Sequence, residues 1–463
     1  MTDVTVVNVA MPAIKNALHF SEADLAWMVN AYMVPFGGFL LLAGRASDLV
    51  GRRRILLAGT ALFTLSSLAS ALAPDAAVMI VTRAAEGLSA AFVVPTTLAM
   101  LSAVFPPGPA RNRAFALWGG GAAIAGTLGL IAGGLLVSAV GWRWIFFINV
   151  PVGVFVVAAS LRALPADPSG LDSPRRRFDI AGALAATGGA SLLAYAVVQT
   201  GSNAWGSART IGLLAGAVVL ISYFLLHERF VAADPLMPLS LWRNRSVAGA
   251  NAVSALLSSA VFAMFYSTTL YQQQVLGYSA LRTGLAYIPL GLSILVAAGL
   301  GPVLVPRIGV RFATALGSLI ATAGMVLLTS LPVSANVLVH LIVPEVIVGF
   351  GAGIAFIPSS IAAMSGVPAE RNGVASALLN VSRQLGGALG LAVISTVVAT
   401  RTSHALTASA GRAVASAMTT GFHAGFAVSA GLLAASVVAA LALLGEDGRG
   451  QAVNLVELQA AGA

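Results

Sequence analysis

The sequence predicts an all-α polytopic membrane protein: two lobes of six spanning helices with two further helices between them, fourteen in all. Three observations carry the helical, membrane-spanning part of that prediction, and an internal repeat carries the division into lobes. Hydrophobic residues make up 58% of the chain, and the mean hydropathy is +0.92. Charged residues make up only 9%, against about 25% in an average soluble domain. The apolar runs are also continuous for about 20 residues, the length a helix needs to cross a bilayer, where a barrel strand would alternate. In lipid, each spanning backbone must satisfy its own hydrogen bonds, and uninterrupted helices do so.

In order, the runs fall at Leu25–Ala43, Ile55–Ala73, Ala77–Val104, Ala114–Val140, Trp144–Leu164, Ile180–Thr200 and Thr210–Leu226. They continue at Ser246–Tyr271, Thr283–Val305, Phe312–Leu331, Val337–Ile361, Val374–Ala399 and Phe422–Leu444. Before them lies Val4–Leu18, apolar but shorter than a full span. We expect this first helix to be N-terminally truncated, with about ten of its residues missing ahead of Met1. Basic residues set the orientation. Fourteen alternating spans put seventeen of the 25 lysines and arginines on one side and six on the other, with Arg83 and Arg383 inside spans. The richer side is cytoplasmic, so both termini lie inside.

A repeat divides the chain. The charged reversal Gly44-Arg-Ala-Ser-Asp-Leu-Val-Gly-Arg-Arg-Arg54 follows the second span, and Gly301-Pro-Val-Leu-Val-Pro-Arg-Ile-Gly-Val-Arg311 follows the second span of the other half without its aspartate. Two parallel six-helix repeats fit this placement. The expected division is residues 1–164 for the first lobe and 165–245 for a polar linker with the two inserted helices. Residues 246–445 form the second lobe, and 446–463 a cytoplasmic tail.

Composition also excludes functions. The net charge of +9 comes from arginines scattered in short clusters between spans, a topology signal rather than a nucleic-acid surface. The absence of cysteine removes disulfides, thiol catalysis and cysteine metal sites. The five histidines have no metal-ligand spacing, and no glycine-rich nucleotide loop with lysine is present. We therefore expect no cofactor, no metal and no enzymatic activity. Energy would come from an ion gradient.

Several motifs carry a family resemblance. They are Asp3-Val-Thr-Val-Val-Asn-Val-Ala-Met-Pro12, Gly44–Arg54, Arg83-Ala-Ala-Glu-Gly87, Trp142-Arg-Trp-Ile-Phe-Phe-Ile-Asn-Val-Pro151 and Tyr271-Gln-Gln-Gln-Val-Leu-Gly-Tyr278. At these positions the chain resembles the fourteen-helix drug/proton antiporters of the major facilitator superfamily, over nearly its whole length. It departs from them in the fifth helix, where Gly129-Leu-Ile-Ala-Gly-Gly134 has Leu130 in place of a kinking proline. Without that proline the helix should be straighter.

The resemblance implies a proton-coupling or cation-binding role for Asp3 and a proton relay at Arg83, which Glu86, on the same helix face, can also hold in a structural ion pair. It further implies a gate at Gly44, Asp48, Gly51, Arg52 and Arg53, in which Asp48 pairs within the turn and meets a helix start of the other half. The alternative for Asp48 is a simple helix cap. Two candidates come from the residues alone. Glu345, isolated in an apolar span, is a second proton or cation site, or else a solvated residue near its helix end. Arg383 either pairs across the lobes as part of the gate or only sets topology. Trp27, Tyr32, Trp118, Phe265, Tyr266 and Tyr271, with Asn8, Gln272 and Asn380, are candidates to line a substrate cavity.

The implied function is proton-coupled export of small hydrophobic or cationic compounds, such as drugs or antibiotics, by alternating access across a bacterial cytoplasmic membrane. The protein would act as a monomer, with protons and the lipid bilayer as its other partners. Two alternatives stand beside it: a dedicated exporter of one endogenous metabolite, and a non-transporting sensor or scaffold on the same fold.

Overall fold

A computed structural model describes residues 2–21, 24–105, 114, 129, 131–164, 179–200, 206–232, 235–237, 239–333, 338–367, 372–408 and 413–445. Among them the chain is helical almost throughout. The first lobe contains α1 (Thr2–Leu18), α2 (Trp27–Val50), α3 (Arg52–Ala71), α4 (Ala76–Val104), α5 (131–139) and α6 (Trp144–Ala163). The inserted pair is α7 (Ile180–Gln199) and α8 (Ala208–Phe230). α9 (Arg245–Leu270) runs on into a π-helical turn, Tyr271–Val275, and a short helix, Ala280–Ala286, leads into the long helix Ile288–Leu328. That helix breaks at Gly309 into α10 (288–308) and α11 (310–328). A second π-helical turn, Leu338–Ile342, opens α12 (Val343–Met364), followed by α13 (Asn372–Ala408) and α14 (Val414–Leu443).

Eleven helices among the described residues are long and apolar enough to cross a membrane, and α1 is a shorter apolar helix. With α2 and α5, these segments occupy the fourteen expected positions. Leu65, Val81, Phe155, Val219 and Val438 are 64–72% exposed. Apolar side chains so exposed along helix faces fit a lipid surround. The Pro165–Arg177 linker, the tail from residue 446, Leu130 and the expected straightening of the fifth helix fall outside the described residues.

The reversal after α2 is tighter than the eleven-residue turn expected from the sequence. α2 continues through Gly44 to Val50, a single residue makes the turn, and Arg52 already opens α3. Gly51 has φ 112° and ψ 134°, and Gly309, in the matching place between α10 and α11, has φ 80° and ψ 161°. Side chains disfavour both conformations, so glycine is the residue that can turn the chain there.

The chain forms two compact units, residues 1–196 with 208–238, and residues 197–207 with 239–463. In the first, small residues let helices touch: a methyl at Gly87 of α4 would lie 2.1 Å from the Tyr32 carbonyl oxygen of α2. In the second, α9 packs against α13 where Ser259 Oγ donates to the Gly386 carbonyl at 2.6 Å and Ser382 Oγ to Asn251 Oδ1 at 2.8 Å. α11 and α12 meet through Gly317 and Gly351. Such small-residue seams suit helices in lipid, where close packing replaces the hydrophobic drive.

Candidate functional site

The repeat can be traced residue by residue. Gly59 lies eight positions after Gly51, and a methyl on it would sit 3.5 Å from the Ser89 carbonyl oxygen. Gly317 lies eight positions after Gly309, and its methyl would sit 2.6 Å from both the Gly351 carbonyl and the Ala355 amide. Ser89 therefore corresponds to Gly351. Six residues back, Arg83 corresponds to Glu345, and the glycines four residues after each, Gly87 and Gly349, both pack on the helix preceding their pair. The two repeats thus place an arginine and a carboxylate at one equivalent position. In each unit it is the end of α3 or α11 away from the glycine turn.

The arginine is held in a built network. Asp75 caps α4 by accepting the Val78 amide at 2.9 Å. Two turns on, Arg83 is fully buried. Its Nε donates to the Met28 carbonyl of α2 at 3.1 Å, and its Nη1 is ion-paired with Glu86 Oε2. The guanidinium lies 4.7 Å from the Tyr32 ring centre and 5.9 Å from that of Phe146, within cation–π range. Glu86 Oε1 accepts the Ser70 hydroxyl of α3 at 2.8 Å, and Thr82 Oγ1 is 2.8 Å from Ser70. This network is the structural ion pair left open by the sequence, extended to a third helix.

The carboxylate stands differently. Glu345 is fully buried, which overturns the solvated alternative. Neither of its oxygens has a hydrogen-bond partner among the described residues. Thr268 of α9 and Tyr287, at the head of α10, lie beside it. Their hydroxyls also bond elsewhere: Thr268 donates to the Met264 carbonyl at 2.8 Å and lies 2.7 Å from Tyr287 Oη. Tyr287 also reaches Thr269 Oγ1 at 2.8 Å and the Phe265 carbonyl at 3.1 Å. One helical turn along the same faces, Gln272 and Thr283 are fully buried, and their side-chain polar atoms have no partner among the described residues. Orphaned buried polar groups are rare in folded proteins because each costs free energy. Both π-helical turns, at Tyr271–Val275 and Leu338–Ile342, fall beside this cluster, and such turns concentrate at functional sites.

The other sequence candidates are distributed more widely. Tyr32 lies under Arg83, and Trp27 packs on Tyr195 of α7 at 6.0 Å between ring centres. Asn8 is buried in α1. Tyr271 is buried, donates to the Pro332 carbonyl at 2.5 Å and meets Phe422 edge-on. Asn380 donates to the Ser376 carbonyl of its own helix at 3.0 Å. Arg383 of α13 donates to Ser360 Oγ at 2.8 Å and the Phe356 carbonyl at 3.2 Å, both on α12 of its own unit. Arg52 and Arg53, from the first turn of α3, donate to the Ala99 carbonyl near the end of α4 (3.1 Å) and the Leu161 carbonyl near the end of α6 (2.7 Å). Cations there satisfy the carbonyl ends of helices and complement their dipoles. The backbones of Asp3, Gly44 and Asp48 lie in α1 and α2, but the side chains of Asp3 and Asp48 fall outside the described residues, as does Trp118.

Sequence reading missed Tyr287, Thr268, Thr283 and Ser70. One signal was available for the first three: Thr268 and Gln272, like Thr283 and Tyr287, are four apart, so polar groups repeat along single helix faces in apolar runs.

Helices with lipid-facing apolar surfaces, two six-helix repeats, and buried charges at equivalent positions define a polytopic membrane transporter. The sequence model described as the Major Facilitator Superfamily matches residues 1–391. The chain belongs to that superfamily. Among its relatives, the uncharacterized MFS-type transporter EfpA of Mycobacterium tuberculosis is 36% identical over 405 residues, covering 86% of this chain and 74% of its own. The puromycin resistance protein pur8 of Streptomyces alboniger is 37% identical over 402 residues, covering 85% and 78%. The cephamycin export protein CmcT of Amycolatopsis lactamdurans is 36% identical over 403 residues, covering 87% and 82%. The fold resembles an inward-facing bacterial homologue of the human lysosomal transporter Spinster, with a TM-score of 0.69 at 15% identity over 97% of this chain and 95% of that one.

Proposed function

We propose that this protein is a proton-coupled antiporter that exports small hydrophobic or cationic compounds, antibiotics among them, across the cytoplasmic membrane. It would work as a monomer with both termini in the cytoplasm. The observation that carries this reading is Glu345: a fully buried carboxyl group in a spanning helix, with neither oxygen partnered among the described residues. An isolated carboxylate at that depth is costly, and a proton or a cationic cargo removes the cost by neutralising it. A group that both ligands neutralise, one at a time, couples their movements in opposite directions.

The relatives named for puromycin resistance and cephamycin export support antibiotic-like cargo. Arg83 and Glu86 neutralise each other at the equivalent position of the first repeat, so the exchangeable charge falls to Glu345, with Asp3 as a second acceptor in the first helix. Arg52 and Arg53 brace helix ends near the Gly51 reversal, where Asp48 would complete a gate. Trp27, Tyr32, Trp118, Tyr271, Gln272, Asn8 and Asn380 remain the cavity candidates.

Everted vesicles energised to an inward-acid gradient test the proposal. Addition of puromycin or ethidium should collapse part of the gradient in wild type, and Glu345→Gln should abolish that collapse while leaving cargo binding to the purified protein measurable. Full cargo-driven proton flux in Glu345→Gln would overturn the role of Glu345. The absence of flux with any tested drug, together with flux for a single metabolite, would favour the dedicated exporter.

A further inference from the structure

A second cluster of titratable groups lies in the inserted helices, apart from Glu345. Asp179 immediately precedes α7, where its Oδ1 accepts the Gly182 amide at 2.8 Å. The same oxygen lies 2.8 Å from His227 Nε2 in the last turn of α8. The next residue, Glu228, turns its Oε2 to the Met237 amide, 2.8 Å away, in the segment that follows α8. Three stretches of chain are therefore tied together by two carboxyl groups.

Both acids are more than nine-tenths buried: Asp179 is 8% and Glu228 5% exposed. Each keeps one buried oxygen, Asp179 Oδ2 and Glu228 Oε1, with no partner among the described residues. The two carboxyl groups lie within interaction reach of each other. Gly182 makes room for the arrangement, since a methyl there would lie 2.3 Å from Asp179 Oδ2. Among the described residues, the titratable and charged groups at the cluster are Asp179, His227, Glu228 and Tyr223, whose ring stacks on His227 at 5.6 Å. Arg229 instead lies over Phe230.

With both carboxyls ionised and the imidazole protonated, one negative charge is left over, and each acid keeps an unpartnered oxygen in a buried site. One added proton neutralises the cluster and supplies a donor where the carboxyl oxygens have none. We propose that Asp179 and Glu228 share one proton and, with His227, form a proton-binding clasp that fastens α7, α8 and the segment around Met237.

The clasp reaches the lobe through packing. Ala183, one turn into α7, and Leu236 form a buried cluster with Leu42 and Phe39 of α2. The methyl of an alanine at Gly38 would strike Thr187 Oγ1 of α7 at 2.1 Å. α2 is the helix that ends at the Gly51 reversal, so loss of the clasp proton loosens a support of that helix. The clasp is a protonation site separate from the coupling carboxylate and stands or falls independently of it.

Infrared titration of the intact protein in lipid nanodiscs tests the clasp. Wild type should show a protonated carboxylic acid C=O stretch that is lost as the pH is raised, and Glu228→Gln and Asp179→Asn should each remove that component. Identical titration spectra in wild type and both variants would overturn the proposal. Because the chain has no cysteine, Met237→Cys supplies a single thiol next to the clasp. Its maleimide labelling in the parent background should rise with pH relative to the Glu228→Gln background, which keeps a neutral hydrogen-bonding side chain. A constant ratio across the titration would also overturn it.

Discussion

Breaking the Arg83–Glu86 pair should be far more damaging than removing it. Arg83 is fully buried, and Glu86 is the carboxylate paired with its guanidinium. Glu86→Ala leaves a buried guanidinium without its counter-ion, at a cost of about 3–5 kcal/mol. It also releases the Ser70 hydroxyl, which now lies 2.8 Å from Glu86 Oε1, and a lost hydrogen bond adds about 1 kcal/mol. Arg83→Met strands Glu86 in the same way and deletes the bond to the Met28 carbonyl. The double replacement Arg83→Met with Glu86→Met removes both charges and keeps the volume. It should lie within about 1 kcal/mol of wild type or exceed it, as buried pairs replaced by apolar side chains commonly do. Reversible unfolding of the purified protein, titrated with sodium dodecyl sulfate in mixed micelles, measures all three. The expected result is strong non-additivity, two damaged single variants and a restored double variant. A Glu86→Ala variant as stable as wild type, or a double variant as weak as the sum of the singles, would refute the reasoning. Transport by the restored double variant then shows whether the Arg83–Glu86 pair also serves coupling: a folded but uncoupled protein means that it does.

Three further outcomes follow from the same geometry. Gly51→Ala and Gly309→Ala should each destabilise by about 1–3 kcal/mol, because their positive φ values admit a side chain only with strain; Gly299→Ala, in open space on α10, should be neutral or stabilising in the same unfolding assay. Tyr287→Phe should cost about 1–3 kcal/mol by orphaning the Thr269 hydroxyl and removing the bond to the Phe265 carbonyl. Glu345→Gln should instead leave stability unchanged or raised, since Glu345 is fully buried, its burial is costly when charged, and glutamine keeps a hydrogen-bonding group of the same size.

The spans were legible because lipid imposes one simple demand, and runs such as Ile55–Ala73 and Thr210–Leu226 meet it without interruption. The repeat was legible at its glycines for a related reason: Gly51 and Gly309 hold a backbone conformation that no other residue adopts readily. The exact reversal was not, because the helical propensity of Gly44–Val50 in a packed lobe outweighs the turn-like look of its charged sequence. Glu345 was visible as an isolated acid, yet its equivalence to Arg83 depends on which carbonyl Gly59 and Gly317 approach, and that is a contact between helices. The Asp179, His227 and Glu228 cluster was missed entirely. Its members are separated by the whole inserted pair, and each alone reads as an ordinary polar residue at a helix end.

The central claim is that one carboxyl group exchanges a proton for cargo, and proton release on binding tests it most directly. Purified protein in weakly buffered detergent solution, with a pH indicator, is mixed with ethidium. Wild type should release protons as the cation binds, and Glu345→Gln should bind without releasing them. Equal proton release by wild type and Glu345→Gln would contradict the account.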